Sequence, residues 1–287
     1  MGNRMNGKVC LVTGATSGIG AETARQLARL GATVIVVGRS AEKSAAVVGQ
    51  IRRQTGNSVV EFMLADLSSQ KEIRELAQQF KRKYPRLDVL VNNAGVVMMH
   101  RQKSVDDIEM TWAINHLGCF LITNLLLDTL IASAPSRIVN VASALHARAK
   151  INFCDLQGKH GYNPLNAYNQ SKLANILFTH ELARRLDGIG VTVNALHPGS
   201  VRTNLIARNG WLFKWIVQPL FNLQAVSVAQ GAQTSVYLAS SPEVEGVTGK
   251  YFGKCQEWRS SPASYDEAAQ ERLWQVSAEM AGLKDEG

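Results

Sequence analysis

Short runs of consecutive apolar residues recur along this chain and alternate with longer amphipathic stretches. The runs at Lys8–Thr13, Thr33–Val37, Val59–Leu64, Leu87–Val91, Ile138–Val141, Val191–Ala195 and Gly249–Phe252 read as strands. Between them, helical patterns run up to Leu30, from about Ala41 to Gln54, about Gln70 to Lys83, about Ser104 to Ala132, through Tyr168 to about Leu186, and about Ala229 to Leu238. Continuously apolar strands are covered on both faces, and repeated strand–helix units imply a parallel sheet between two layers of helices. The expected architecture is α/β, a doubly wound parallel sheet in a single domain spanning residues 1–287, because no linker or repeat divides the chain. At the end, Ser264-Tyr-Asp-Glu267 has capping-box spacing ahead of a helix over about 264–282. Leu273, Val276 and Met280 are its expected buried stripe, docked on the body of the protein, with partner binding as the alternative.

Composition narrows the class. With 287 residues and 46% hydrophobic content the chain can bury a substantial core, and no run of about 18 apolar residues suggests a spanning helix. The start, Met-Gly-Asn-Arg-Met-Asn, is too polar for a secretory signal, and Asn6 stands where a myristoylation motif needs Ser or Thr. Cys10, Cys119, Cys154 and Cys255 are scattered, so reduced thiols, a cytoplasmic location and no metal site are expected. A net charge of +8 suits nucleic acid, an anionic membrane or a phosphorylated cofactor. The basic residues are dispersed without a basic-aromatic stripe, which argues against nucleic acid.

Two constellations carry chemistry. Gly14-Ala-Thr-Ser-Gly-Ile-Gly20 lies between the first strand and its helix. There, glycines admit a pyrophosphate close to the backbone, and unpaired N–H groups at the helix start bind it. The order makes the fold Rossmann-like, although the spacing is G-x-x-x-G-x-G. Farther on, Tyr168 and Lys172 share one helix face, and Ser143 closes the strand Arg137–Ser143. An ammonium beside a phenol favours the phenolate and lowers its pKa, an arrangement suited to proton transfer at an alcohol or carbonyl oxygen. A Tyr-x-x-x-Lys pair is otherwise an ordinary helix face.

Thr13-Gly-Ala-Thr-Ser-Gly-Ile-Gly20, Asn92-Asn-Ala-Gly95, Asn115, Ser143, Tyr168-x-x-x-Lys172 and Pro198-Gly199 occur in the order found in short-chain dehydrogenases/reductases. The chain resembles that family over nearly its whole length. It is most similar to the retinol dehydrogenase branch through Ser171–Thr179, His197–Thr203, Gly249–Phe252 and Glu271–Trp274. Members of that branch commonly carry an N-terminal membrane anchor, whereas only a few polar residues precede Lys8 here.

The resemblance implies that Gly14, Thr16, Ser17, Gly18, Ile19 and Gly20 hold the pyrophosphate. It places Asp66 and Leu67 at the adenine, and Asn93, Ala94 and Gly95 along the adenosine ribose. Pro198, Gly199, Val201 and Thr203 fall at the nicotinamide. Tyr168 is then acid or base, Lys172 lowers its pKa and bonds the nicotinamide ribose, and Ser143 bonds the substrate oxygen. Asn115 holds a relay from the lysine to solvent, or is merely a helix asparagine bonding locally. Where NAD-selective folds place an acid at the end of the second strand, this chain has Arg39-Ser40. That exchange favours NADP(H), the guanidinium forking a 2′-phosphate with Ser40 assisting, over a solvent-exposed arginine with no ligand.

An insertion between Leu145 and Asn166, containing Phe153, Leu156 and Tyr162, is expected to border the substrate. From Gly188 to Pro242 there is no acidic residue, and residues 204–226 read as an apolar lid with Trp211, Phe213, Trp215 and Phe221. Those aromatics line a pocket, form an interface or core, or touch a membrane surface. Leu145, Phe153, Trp211, Phe213 and Trp215 are the substrate candidates. Together these residues point to an apolar alcohol, aldehyde or ketone, retinoid-like first and steroid or other lipid carbonyl next. The other reading is a dinucleotide-sensing scaffold of low turnover. Family members often pair through the helices around Asn115 and Tyr168, which implies a homodimer or tetramer.

Overall fold

The computed structural model describes residues 4–199 and 226–283. In chain order, β1 (Val9–Thr13), α1 (Gly18–Arg29), β2 (Thr33–Gly38), α2 (Ala41–Thr55), β3 (Val60–Leu64), α3 (Gln70–Lys83) and β4 (Val89–Asn92) follow the apolar pattern closely. Next come α4 (Met110–Trp112), a π-helical turn (Ala113–Leu117), α5 (Gly118–Leu125), α6 (Leu127–Ala132), β5 (Ser136–Val141), α7 (Pro164–Arg185) and β6 (Val191–His197). The last elements are α8 (Val228–Ser240), β7 (Lys250–Gly253), β8 (Gln256–Trp258) and α9 (Glu267–Met280). These strands form one sheet of order β3-β2-β1-β4-β5-β6-β7-β8. Every pairing is parallel except the antiparallel β7–β8 edge.

Successive strand side chains point to opposite faces, and each face has its own core. Leu11, Ile35, Leu90 and Ile138 pack with residues of α3, α5, α7 and α9. Cys10, Val12, Val36 and Val91 pack with residues of α1, α2 and α8. The expected doubly wound α/β architecture, Rossmann-like with helices on both faces, is what the chain adopts.

Three local expectations need correction. The long helix from Ser104 to Ala132 begins only at Met110, because the buried Glu109 carboxylate accepts from Thr111 N at 2.9 Å and Trp112 N at 2.8 Å and so caps it. It is then interrupted by the π turn and at Leu126. Strand β8 was not expected, since all three of its residues are exposed. Finally, α9 is capped by Asp266, which accepts from Ala269 N at 3.0 Å, and not by Ser264. Its buried face is Gln270, Leu273, Trp274, Ser277 and Ala278, with Val276 and Met280 at the margin.

Candidate active site

The chain leaves β1 toward β2 and β3, then returns to place β4 on the other side of β1. Crevices at the carboxyl ends of strands form at such a reversal. Thr13 ties its two sides together: Asn93 N and Ala94 N donate to its Oγ1 at 3.0 and 3.1 Å, and the Oγ1 donates to Val91 O at 3.3 Å. Asn93 Nδ2 adds a bond to Thr13 O at 2.9 Å. Gly14 has φ +63°, and a Cβ there would lie 2.7 Å from Ala94 Cα. One at Gly20 would lie 2.6 Å from Gly14 O. The turn is therefore closed to larger residues, and Gly18, Ile19 and Gly20 open α1 behind Ser17, its N-cap. Thr16 packs its methyl against Gly38.

At the end of β2, Arg39 Nη1 pairs with Asp66 Oδ2 at 3.2 Å, and its side chain remains 45% exposed. Ser40 caps α2, accepting from Lys43 N at 3.3 Å. Burial works to raise the Asp66 pKa, but hydrogen bonds from Ser68 and the charge of Arg39 outweigh it and hold the carboxyl below its usual range. Leu67 is buried against Gly118.

Beyond β5 the proton-transfer candidates meet. Ser143 caps a short 3₁₀ turn, its Oγ accepting from Leu145 N at 3.2 Å, and it lies close enough to the phenol of the buried Tyr168 to draw its pKa down. Lys172 Nζ donates to Val141 O at 2.8 Å and lies 5.7 Å from the centre of the Tyr168 ring. A Cβ on Gly95 would stand 3.4 Å from that Nζ, so the glycine leaves room above the ammonium. Burial pushes Tyr168 up to about 12, against the opposing effect of Ser143, and pushes Lys172 down to about 8. The expected lowering of the phenol's pKa is therefore not found. Loss of solvation dominates there, and the phenol stays protonated at neutral pH.

Asn115 sits in the π turn with both polar ends of its side chain engaged. Its Oδ1 accepts from Val96 N at 2.7 Å, and its Nδ2 donates to Val96 O at 2.9 Å and to Ser171 Oγ at 3.0 Å. It thereby fixes the segment that follows Gly95. His146, three residues after Ser143 in the sequence, is buried with Nδ1 2.6 Å from Ser143 O and Nε2 accepting from Ser261 N at 3.0 Å. His197 Nδ1 accepts from Ala144 N at 3.2 Å, and burial holds its pKa down to about 4.

Of the substrate candidates, Leu145 is half-buried in the turn after Ser143. Phe153 packs under the Arg272 guanidinium, 4.4 Å from its ring centre, against α9. Pro198 and Gly199 follow β6, Gly199 with φ +86°. Val201, Thr203, Trp211, Phe213, Trp215 and Phe221, with the lid up to residue 225, lie outside the described residues. Among the described residues no group of His, Cys, Asp and Glu is arranged to hold a metal, and no helix is long and apolar enough to cross a membrane.

A glycine turn between β1 and α1, at the reversal of a doubly wound sheet, defines a dinucleotide-binding α/β protein. The sequence profile of the short chain dehydrogenases matches residues 8–210. The chain belongs to that family and is an oxidoreductase acting on CH–OH groups. Retinol dehydrogenase 14 of Homo sapiens is 48% identical to it, over 97% of this chain and 88% of that protein. An uncharacterized protein from Mycobacterium paratuberculosis superimposes with a TM-score of 0.79 at 33% identity, covering 97% of this chain and 95% of the other. The RhlG/NADP active-site complex of Pseudomonas aeruginosa gives 0.68 at 26% identity, over 90% and 97% of the two chains.

Proposed function

We propose that this chain is an NADP(H)-dependent enzyme interconverting an apolar alcohol with its aldehyde or ketone, retinol and retinal first and steroid or other lipid carbonyls next. The meeting of Ser143 with the buried Tyr168 phenol beyond β5, with Lys172 on the same helix face, carries the reading. The 48% identity to a retinol dehydrogenase supports the substrate class. The crevice suits a dinucleotide, because Gly14 and Gly20 let the turn after β1 fold tightly against Ala94 and Asn93, and the first N–H groups of α1, which have no partner within the helix, open at that turn.

In this reading Gly14 to Gly20 hold the pyrophosphate and Arg39 with Ser40 the 2′-phosphate. Asp66 and Leu67 meet the adenine, Asn93, Ala94 and Gly95 the adenosine ribose, and Tyr168 and Lys172 the nicotinamide ribose. Pro198 and Gly199, with Val201 and Thr203, orient the nicotinamide. When bound, that ring supplies hydride for reduction and accepts it for oxidation. Tyr168, protonated at neutral pH, donates its proton to the carbonyl oxygen, and the Ser143 hydroxyl steadies charge developing there. Lys172 supplies positive charge beside the phenol, and Asn115 begins the path from it to solvent. NADP(H) is largely reduced in most cells, which favours carbonyl reduction.

The test is NADPH oxidation with retinal, a steroid ketone and small aldehydes. Turnover is expected to be fastest with retinal, and Tyr168→Phe is expected to lower it by roughly 10²–10⁴-fold while NADPH still binds. NADPH binding without turnover, indifferent to Tyr168→Phe, would replace this reading with a sensing scaffold.

A further inference from the structure

His116 follows Asn115 in the π turn and faces away from the Ser143–Tyr168 pair, toward the C-terminal helix. It is wholly buried between Trp112 and Phe178, with ring centres 4.7 and 6.4 Å away. Its Nε2 lies 2.8 Å from Ser277 Oγ of α9, and its Nδ1 lies 3.3 Å from Asn175 Oδ1 of α7. Asn175 Nδ2 donates to the main-chain carbonyl of Asn115 at 2.9 Å. That bond fixes which end of the Asn175 amide faces the histidine, and the rest of the chain follows in direction. The amide oxygen accepts, so His116 Nδ1 carries the proton, and the remaining Nε2 accepts from the Ser277 hydroxyl. Burial keeps the ring neutral, its pKa pushed down to about 4.

The run therefore goes Ser277 to His116 to Asn175 to the Asn115 carbonyl. From there Asn115 Nδ2 reaches Val96 O and Ser171 Oγ, and Ser171 Oγ donates to Tyr168 O at 2.7 Å. All of these residues except Val96 are buried. A π turn leaves the ordinary helical bonding unsatisfied, so it needs outside partners to persist, and such turns gather at functional sites. Here the partners come from α7 and from α9. Removing the Ser277 hydroxyl strands the Nε2 acceptor among buried rings, and the imidazole shifts to recover a partner, which weakens the Nδ1–H bond to the Asn175 oxygen. Asn175 then loses its hold on the Asn115 carbonyl.

We propose that α9 is part of the machinery of the site: Ser277 and His116 are positioning residues that set Asn115, and through it the Gly95–Val96 segment above Lys172 and the backbone of Tyr168. The catalytic consequence rests on the function proposed above, and the positional one does not. The experiment compares Ser277→Ala, Ser277→Thr and His116→Phe, which keeps the ring stack, in the full chain. Each is followed by NADPH turnover, NADPH affinity and amide hydrogen exchange of the peptide covering Val96.

Ser277→Ala is expected to lower kcat about tenfold with NADPH affinity unchanged and to speed exchange at Val96. Ser277→Thr is expected to restore both, and His116→Phe to add no further loss when combined with Ser277→Ala. Unaltered exchange at Val96 in Ser277→Ala and His116→Phe overturns the proposal whatever the turnover. Faster exchange with kcat unchanged in a chain whose turnover depends on Tyr168 overturns its catalytic part. A wild-type chain that turns over no substrate, yet shows the exchange response and its rescue by threonine, upholds the positional link and refutes the proposed function instead.

Discussion

Two side chains at the centre of the site are shifted in opposite directions by the same cause. Removal from water favours the uncharged form of each, so Tyr168 keeps its proton to about 12 and Lys172 holds its own only to about 8. The ratio kcat/KM reports groups in the free protein. For carbonyl reduction, Tyr168 remains a proton donor throughout the working range, so the ammonium is the group that titrates. The ratio is expected to be level below about pH 8 and to fall above it, as Lys172 loses its charge. Arginine keeps its charge at every accessible pH, so Lys172→Arg should abolish that decline even if the rate itself drops. An alkaline limb persisting unchanged in Lys172→Arg would assign it to another group. Residue types revealed these two positions in the sequence, but burial, which sets the sign of the tyrosine shift, comes from elements far along the chain.

Among the elements, those with continuous apolar runs were legible, because a strand covered on both faces carries its own signature. β8 lacked that signature: Gln256, Glu257 and Trp258 are exposed and pair only along the edge with β7. The π turn left no periodic mark either, since its bonds come from Asn175 and Val96, distant in sequence. In α9 the apolar pattern was misread because two buried positions, Gln270 and Ser277, are polar and find partners inside the protein. Trp274 shows how firmly that helix is docked. Its ring lies 5.1 Å from Phe120 and 5.9 Å from Phe178, with the Arg185 guanidinium 4.1 Å from its centre. Trp274→Ala is expected to destabilise the protein by about 3–5 kcal/mol, read from the denaturant midpoint at constant m. A loss under ~1 kcal/mol would mean that α9 is peripheral to the fold.

For the molecule as a whole, ligand and fold should be linked. In the proposed site a dinucleotide across the β1–β4 crevice would touch β1, β2, β4, β5, α1 and α7, so its binding energy would add to the stability of the entire sheet. At a free concentration about 100 times its Kd, a ligand of the native state contributes about 2.7 kcal/mol. For a chain of this size that corresponds to a rise in Tm of roughly 5 °C. NADPH is expected to produce that shift and NADH a smaller one at equal concentration, and Arg39→Ala should erase the difference. Equal shifts in the wild-type chain would remove Arg39 as the discriminating group. The motifs were readable because they lie at strand ends, where fold and chemistry coincide. The substrate side was less so: Phe153, an expected substrate neighbour, also packs against Arg272 of α9.

Arg39 already has an anion, the carboxylate of Asp66. A visiting 2′-phosphate must therefore compete with a tenant, and an exposed pair of this kind holds its partner by no more than about 1 kcal/mol. If the proposed site holds, nucleotide preference becomes an exchange of counter-ions: the guanidinium would change hands, and the released carboxylate would be left facing the base of the newcomer. A visitor that brings only a ribose hydroxyl leaves the original couple undisturbed.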